Sequence, residues 1–281
     1  MENQKMKAND TNKIRKEITL FLSVIIVLSA IFESLIIGTG QMFYAAFLMW
    51  TPALAAWITK FVYFRKEKNS LLFQKCKIKY IFIALGLPMI YLGIPYCIYW
   101  INNPSSMQID WSLKLLGMAV VGILTTLVIT LGEEIGWRGF LVPRLTAWVG
   151  AKKTLLFTGL FWGAWHCPLL LSGIYMPGIS NWYKVPLFMI VITSVGVIIG
   201  GLTLRSKSVW PAVLMHAAHN NFDQNLLGAG TVGNDKMYFV GETGIITAVI
   251  VVVIAVGVYK KVLYEGIVTY KEYKKIKKPE Q

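Results

Sequence analysis

Charged residues are scarce in this chain of 281 residues. Asp, Glu, Lys and Arg together make up only 15% of the positions, whereas hydrophobic residues make up 56%. An ordinary soluble domain carries about 25% charged residues. The scarcity therefore excludes an ordinary water-exposed surface and indicates that much of the chain is in contact with lipid.

The hydrophobic residues form runs that are long enough, at about 17–25 residues each, to cross a bilayer as helices. We expect an all-α, polytopic transmembrane helical bundle of about eight helices. The predicted spans are approximately 18–38, 42–59, 80–101, 112–132, 154–173, 185–204, 208–227 and 243–264.

Acidic residues are scarcer still, with 14 Asp and Glu against 28 Lys and Arg, and the formal net charge is +14. A basic chain can bind nucleic acid, but here the basic residues alternate between loops as the positive-inside rule predicts. With both termini in the cytoplasm, all but Lys114, Lys184 and Lys236 fall on the cytoplasmic side. We therefore expect contact with anionic membrane lipids and no nucleic-acid partner, and we place the chain in a cell membrane, most naturally a bacterial plasma membrane.

Cysteine and histidine are also few, with three of each. Cys76, Cys97 and Cys167 have no C-x-x-C spacing, which excludes the usual zinc or disulfide frameworks. The histidines, in contrast, all lie within the predicted spans: His166, His216 and His219. Ionisable residues inside a membrane are costly and are a functional-site hypothesis by default.

Two adjacent carboxylates, Glu133 and Glu134, follow the long uncharged fourth run and precede Arg138. On a helix Glu134 and Arg138 are i,i+4 neighbours and can pair, whereas Glu133 is turned about 100° away. Pairing would keep one carboxylate ionised and leave the other free to transfer protons. The alternative is a helix end at the cytoplasmic interface with a surface salt bridge.

The histidine segments complete the set of candidate groups. His166 follows Trp162 and Trp165 in the fifth run, and His216 lies four residues before Asn220 in the seventh. Asn220 is a neutral donor suited to a developing oxyanion, although interhelical hydrogen bonding would explain the same residues. The aromatic residues and the paired glycines of the sixth run are predicted to serve helix packing.

Three motifs in this order resemble those of the CAAX prenyl protease and bacteriocin-processing family, also called the Abi family, of intramembrane peptidases. The family series is E-E-x-x-x-R, F-x-x-x-H and H-x-x-x-N. Glu133, Glu134 and Arg138 match the first motif, and His216 with Asn220 matches the third. His166 matches the second, but Trp162 stands where the family usually has Phe.

The resemblance implies hydrolysis of a peptide bond in the cytoplasmic half of the membrane. Glu133 and His166 would activate a water, His216 and Asn220 would stabilise the oxyanion, and Glu134 and Arg138 would orient the site. The resemblance leaves the need for a metal open; we favour hydrolysis without one, and a divalent metal such as zinc on Glu133, His166 and His216 stays the alternative. His219 is assigned a supporting place beside these groups.

The domain organisation expected from this resemblance is one transmembrane peptidase domain at 18–267, with its motif core at about 112–227. Residues 1–17 would form a cytoplasmic tail, and 268–281 a Lys-rich one. The expected substrate is a membrane-embedded or lipidated peptide or protein, in bacteriocin processing or self-immunity. A non-catalytic immunity or scaffold protein stays open, as does a proton-coupled transporter.

Overall fold

The described part of the chain consists of helices joined by turns and loops, with an isolated antiparallel bridge between Met107 and Thr231. It comes from a computed structural model and comprises residues 2–67, 70–109 and 113–264. The predicted C-terminal tail at 268–281 lies outside these residues. The helices are α1 (Glu2–Thr39), α2 (Phe43–Tyr63), α3 (Ile78–Asn102), α4 (Leu113–Glu134), α5 (Val142–Val149), α6 (Ala151–Trp165), α7 (Cys167–Leu171), α8 (Asn181–Ser206), α9 (Trp210–Asn220), α10 (Lys236–Phe239) and α11 (Ile245–Tyr264).

Five helical stretches in the described residues are long and apolar enough to cross a membrane: Thr11–Thr39, Phe43–Tyr63, Ile78–Asn102, Val120–Val149 and Asn181–Ser206. The chain is therefore a multi-pass membrane protein with an all-α fold, as the composition predicts. The other predicted spans fall on shorter helices, so the count of eight stays a prediction. Because α1 begins at Glu2, the predicted N-terminal tail is continuous with the first membrane helix.

The centre of the bundle is α8. Of the residues in its most apolar 18-residue stretch, 72% are buried inside the protein. It packs against α6, α9 and α11. The contact with α6 is close because two glycines meet there: a Cβ placed on Gly196 would lie 2.8 Å from the Cα of Gly159. This confirms the prediction that small residues in these runs serve helix packing.

The fourth membrane helix does not end at the paired glutamates, which is a correction to the sequence prediction. After Glu134 the chain makes a π-helical turn over Ile135–Leu141 and continues as α5 to Val149. Glu133 and Glu134 are consequently near the middle of the Val120–Val149 stretch and are fully buried. Burial also excludes the alternative of a salt bridge on the protein surface.

The two ends of the bundle differ in charge. At one end a buried ion pair joins Arg144 to Glu17 at 2.8 Å, and the Arg15 guanidinium lies 5.1 Å from the ring centre of Trp148. Gln74 donates a hydrogen bond to the carbonyl of Lys207 at this end too. We call it the basic end, because Arg15, Arg144 and Lys207 lie there. The helix α1 starts near it, and α5 and α8 finish there. The turns at 40–42, 103–109, 172–180 and 228–244 form the opposite end.

Candidate active site

Glu133 lies on α4 at the floor of an internal cavity of about 200 Å³. Its Oε2 accepts a hydrogen bond from the indole Nε1–H of Trp162, with an N–O distance of 2.7 Å. Its Oε1 has no hydrogen-bond partner in the described part of the protein. One oxygen is thus held in place while the other is available to a molecule in the cavity.

Glu134 faces a different set of groups. Its Oε1 accepts hydrogen bonds from Arg138 Nη1 at 2.7 Å and from His216 Nδ1 at 2.9 Å. The predicted pairing of Glu134 with Arg138 is therefore present, and it extends to the histidine of the third motif. Since the carboxylate occupies Nδ1 of His216, only Nε2 is left for any other partner.

His166 follows the last residue of α6 and is half-buried, with its side chain lining the cavity. Its Nδ1 lies 2.8 Å from the backbone carbonyl of Trp162. A carbonyl oxygen only accepts, so Nδ1 carries the proton and donates it. In the neutral ring this leaves Nε2 with its lone pair, which can accept a hydrogen bond from water.

Trp162 connects the three motifs. Beyond its bond to Glu133, its ring lies 4.2 Å from the Arg138 guanidinium and 5.0 Å from the centre of the His216 ring. The sequence prediction gave this residue a packing role and overlooked its N–H group. The partner, Glu133, is 29 residues away along the chain, so no local pattern could have indicated the bond.

Asn220 completes the cavity wall on the α9 side, one helical turn beyond His216. All six residues predicted for the site are brought together, although Glu134 and Arg138 act from behind His216 and do not line the cavity. Their catalytic roles stay predictions. The transition from α9 into a second π-helical turn, Asn221–Leu227, comes directly after Asn220.

A second buried polar cluster lies beside this set and was missed at the sequence level. His219 Nδ1 lies 3.0 Å from the hydroxyl of Tyr91, and its Nε2 lies 3.2 Å from Glu242 Oε1. Tyr175 donates its hydroxyl proton to Glu242 Oε2 at 2.5 Å. Both ring nitrogens of His219 are thus occupied, which agrees with a supporting place. Glu242 lies in the loop between α10 and α11.

The electrostatics of Glu242 follow from these neighbours. Burial opposes its ionisation, but the hydrogen bond and charge of His219 and the hydroxyl of Tyr175 bring its pKa below the ordinary value. Burial and the nearby Glu242 charge raise the pKa of Tyr175 well above the ordinary value, so this phenol stays a donor. The cluster therefore holds a carboxylate in its charged form next to the cavity.

A metal ion is the alternative for this site. Among the described residues no three His, Cys, Asp or Glu side chains lie close enough to hold one. In the alternative ligand set, Glu133 and His166 each use one side-chain atom to bind Trp162, and His216 uses one to bind Glu134. The three residues do not form an assembled metal site in this arrangement, and we derive no step through a metal.

Comparison with known proteins finds a match for the part of the chain that holds the candidate site. Residues 115–222 match the family model described as type II CAAX prenyl endopeptidase Rce1-like. This segment is therefore similar to the Rce1-like family. It contains the six predicted site residues, from Glu133 to Asn220, and its limits are close to the motif core expected at about 112–227.

A curated relative of the Rce1-like segment is CAAX prenyl protease 2 of Methanococcus maripaludis. The two chains are 30% identical over 138 residues, which is 47% of this chain and 48% of the relative. The chain thus spans about half the length of that relative.

Proposed function

We propose that the protein is an intramembrane endopeptidase that hydrolyses a peptide bond of a membrane-associated or lipidated peptide or protein. The observation that carries this proposal is the carboxylate of Glu133, buried at the floor of a cavity with one oxygen held by Trp162 and the other unoccupied. His166 presents a free Nε2 at the same cavity. Such a pair can hold and deprotonate a water.

The hydrolysis balances with these groups alone. Glu133 accepts a proton from water as its oxygen bonds to the carbonyl carbon, and the carbonyl electron pair moves to its oxygen. His166 Nε2 accepts a hydrogen bond from the other O–H of the same water and orients it, and that hydrogen stays on the oxygen. Collapse of the tetrahedral intermediate breaks the C–N bond, and the Glu133 carboxyl returns its proton to the leaving nitrogen.

The oxyanion is stabilised from the opposite wall. As an imidazolium, His216 donates Nδ1–H to Glu134 and Nε2–H to the oxyanion. Asn220 supplies a neutral amide donor. Arg138 holds Glu134 in place, so the pair acts on the reaction through His216 and is positioning rather than catalytic.

The test is hydrolysis of a library of membrane peptides by the purified full chain. Wild type should cleave, whereas Glu133→Gln should lose activity by at least about a hundredfold, as removal of a general base does. His166→Ala should also lose activity. Gln has nearly the shape of Glu, so unchanged thermal unfolding of the Glu133→Gln variant would show that the fold is retained.

Metal dependence is decided in the same assay. Full activity after treatment with a chelator is the expected result, and loss of activity that added zinc restores would favour the metal alternative. If correctly folded wild type cleaves no peptide, a non-catalytic role in immunity or scaffolding would replace the peptidase proposal. The name of the archaeal relative favours lipidated peptides within the library.

A further inference from the structure

The cavity of the candidate active site opens at a defined end of the bundle. Its floor is formed by Glu133 and Trp162, which are at most 1% exposed. Its rim includes Met42, which is 49% exposed, and the exposed Gln224. The cavity is therefore closed at the floor and open at the rim.

The rim residues belong to the end opposite the basic one. Met42 lies in the turn between α1 and α2, after α1 has crossed from the basic end. Gln224 lies fourteen residues beyond Trp210, whose indole binds the carbonyl of Phe73 near the basic end, and this separation corresponds to about 20 Å of helix. The segments that carry the rim are tied together there, since Tyr175 binds Glu242.

Charge placement assigns these ends to the two sides of the membrane. The basic end carries Lys13, Arg15, Arg144, Lys152 and Lys153, among others, which the positive-inside rule places in the cytoplasm. The segment 228–244 at the opposite end carries a single basic residue, Lys236, whose ammonium group is bound by two backbone carbonyls. The rim of the cavity consequently faces the outer side.

We propose that the candidate active site receives its substrate from the outer side of the membrane, as a short, extended, apolar stretch of a membrane-anchored peptide. The inference rests on the proposed function for the identity of the site, and on the ends of the bundle for its direction. It replaces the expectation, taken from the family resemblance, of cleavage in the cytoplasmic half. A substrate whose cleavable bond lies in the cytoplasm does not fit.

The lining of the cavity determines the chemistry of the occupant. The outer half of the wall is formed by apolar side chains of α2 and α7, including Ala45, Leu48 and Leu169. Polar groups line the floor and the α9 side of the cavity, and Gln224 and Glu242 lie towards the rim. A volume of about 200 Å³ is too small for an α-helix 10–12 Å wide, so the bound stretch is unwound.

The direction of access is tested by cysteine labelling of the full chain in intact cells, starting from a variant in which Cys76, Cys97 and Cys167 are replaced by Ser. Gln224→Cys reports the rim, and Lys66→Cys, which is exposed in the loop after α2, reports the basic end. A membrane-impermeant maleimide should label the rim cysteine in intact cells. It should label the basic-end cysteine only after permeabilisation, and the reverse pattern would overturn the proposal.

Activity is then measured in sealed vesicles of known orientation, with a cleavable peptide supplied on one side at a time. Cleavage only of the peptide at the face that was external in the cell supports the proposal, and cleavage only from the cytoplasmic face overturns it. If neither peptide is cleaved, the proposed peptidase function fails. The labelling result still decides the side to which the cavity opens, so the two failures are distinguishable.

Discussion

Replacing Trp162 with Phe removes the one donor that Glu133 has in the described structure, and it also installs the residue that the family usually carries at this position. The benzene ring of Phe retains an aromatic face beside Arg138 and His216. What disappears is the hydrogen bond of 2.7 Å between the indole N–H and Glu133 Oε2. If that bond fixes the general base, the substitution should impair catalysis although it moves the sequence towards the family pattern.

The size of the effect follows from the bond that is lost. A hydrogen bond to a charged group contributes about 1.5–3 kcal/mol, and each 1.4 kcal/mol of transition-state stabilisation is about tenfold in rate. We expect kcat/KM to fall by about 10- to 100-fold, mainly through kcat, because the cavity wall that binds the peptide is unchanged. A rise in KM with unchanged kcat would not agree with this account.

The assay is steady-state cleavage of one identified peptide by wild type and variants. Trp210→Phe is the matched control, since its indole also donates a hydrogen bond, but to the carbonyl of Phe73 near the basic end. Combining Trp162→Phe with Glu133→Gln should give no further loss, because the two residues act through one carboxylate. Wild-type kcat in a stably folded Trp162→Phe protein would refute the reasoning.

Two further predictions concern stability. Gly159→Ala places a Cβ 2.7 Å from a carbonyl oxygen of α8 and should destabilise the bundle by about 1–3 kcal/mol, whereas Gly86→Ala, with no atom within 4 Å, should be neutral; thermal unfolding in detergent compares them. Arg144→Met leaves the buried Glu17 carboxylate with only the longer contact to Lys13, at 4.0 Å, and should cost up to about 3–5 kcal/mol. The double replacement with Met at both positions should recover part of that loss, and an equally unstable double variant would contradict the ion-pair explanation.

Hydropathy and charge placement predict most of this fold because each depends on many residues. Runs of apolar side chains long enough to cross a bilayer have few alternatives to a helix, since a bilayer supplies no partner for free backbone groups. The sequence prediction ended the fourth helix wrongly at the paired carboxylates, because charges after an apolar run usually mark an interface. Here Glu134 is bound by Arg138 and by His216 of another helix. Hydropathy does not register such contacts.

The candidate site was predictable where its residues are close in sequence. Glu134 with Arg138, and His216 with Asn220, are one helical turn apart, so spacing alone places each pair on one face. Contacts between distant segments were not predictable in this way. Glu242 joins His219 only because the segment after α10 folds back into the bundle, and its sequence of Gly, Glu and Thr resembles an ordinary turn.

The π-helical turn at Ile135–Leu141 sets the rotational phase between two halves of one membrane helix. A π turn accommodates one more residue than an α turn, and each residue of an α-helix adds about 100° of rotation. Removing a single residue here would restore an ordinary helix but rotate α5 by that angle, carrying Arg144 away from Glu17 while Glu134 stayed beside His216. The spacing between the first motif and Arg144 is therefore a length constraint, and a one-residue deletion in this turn would be more damaging than most substitutions within it.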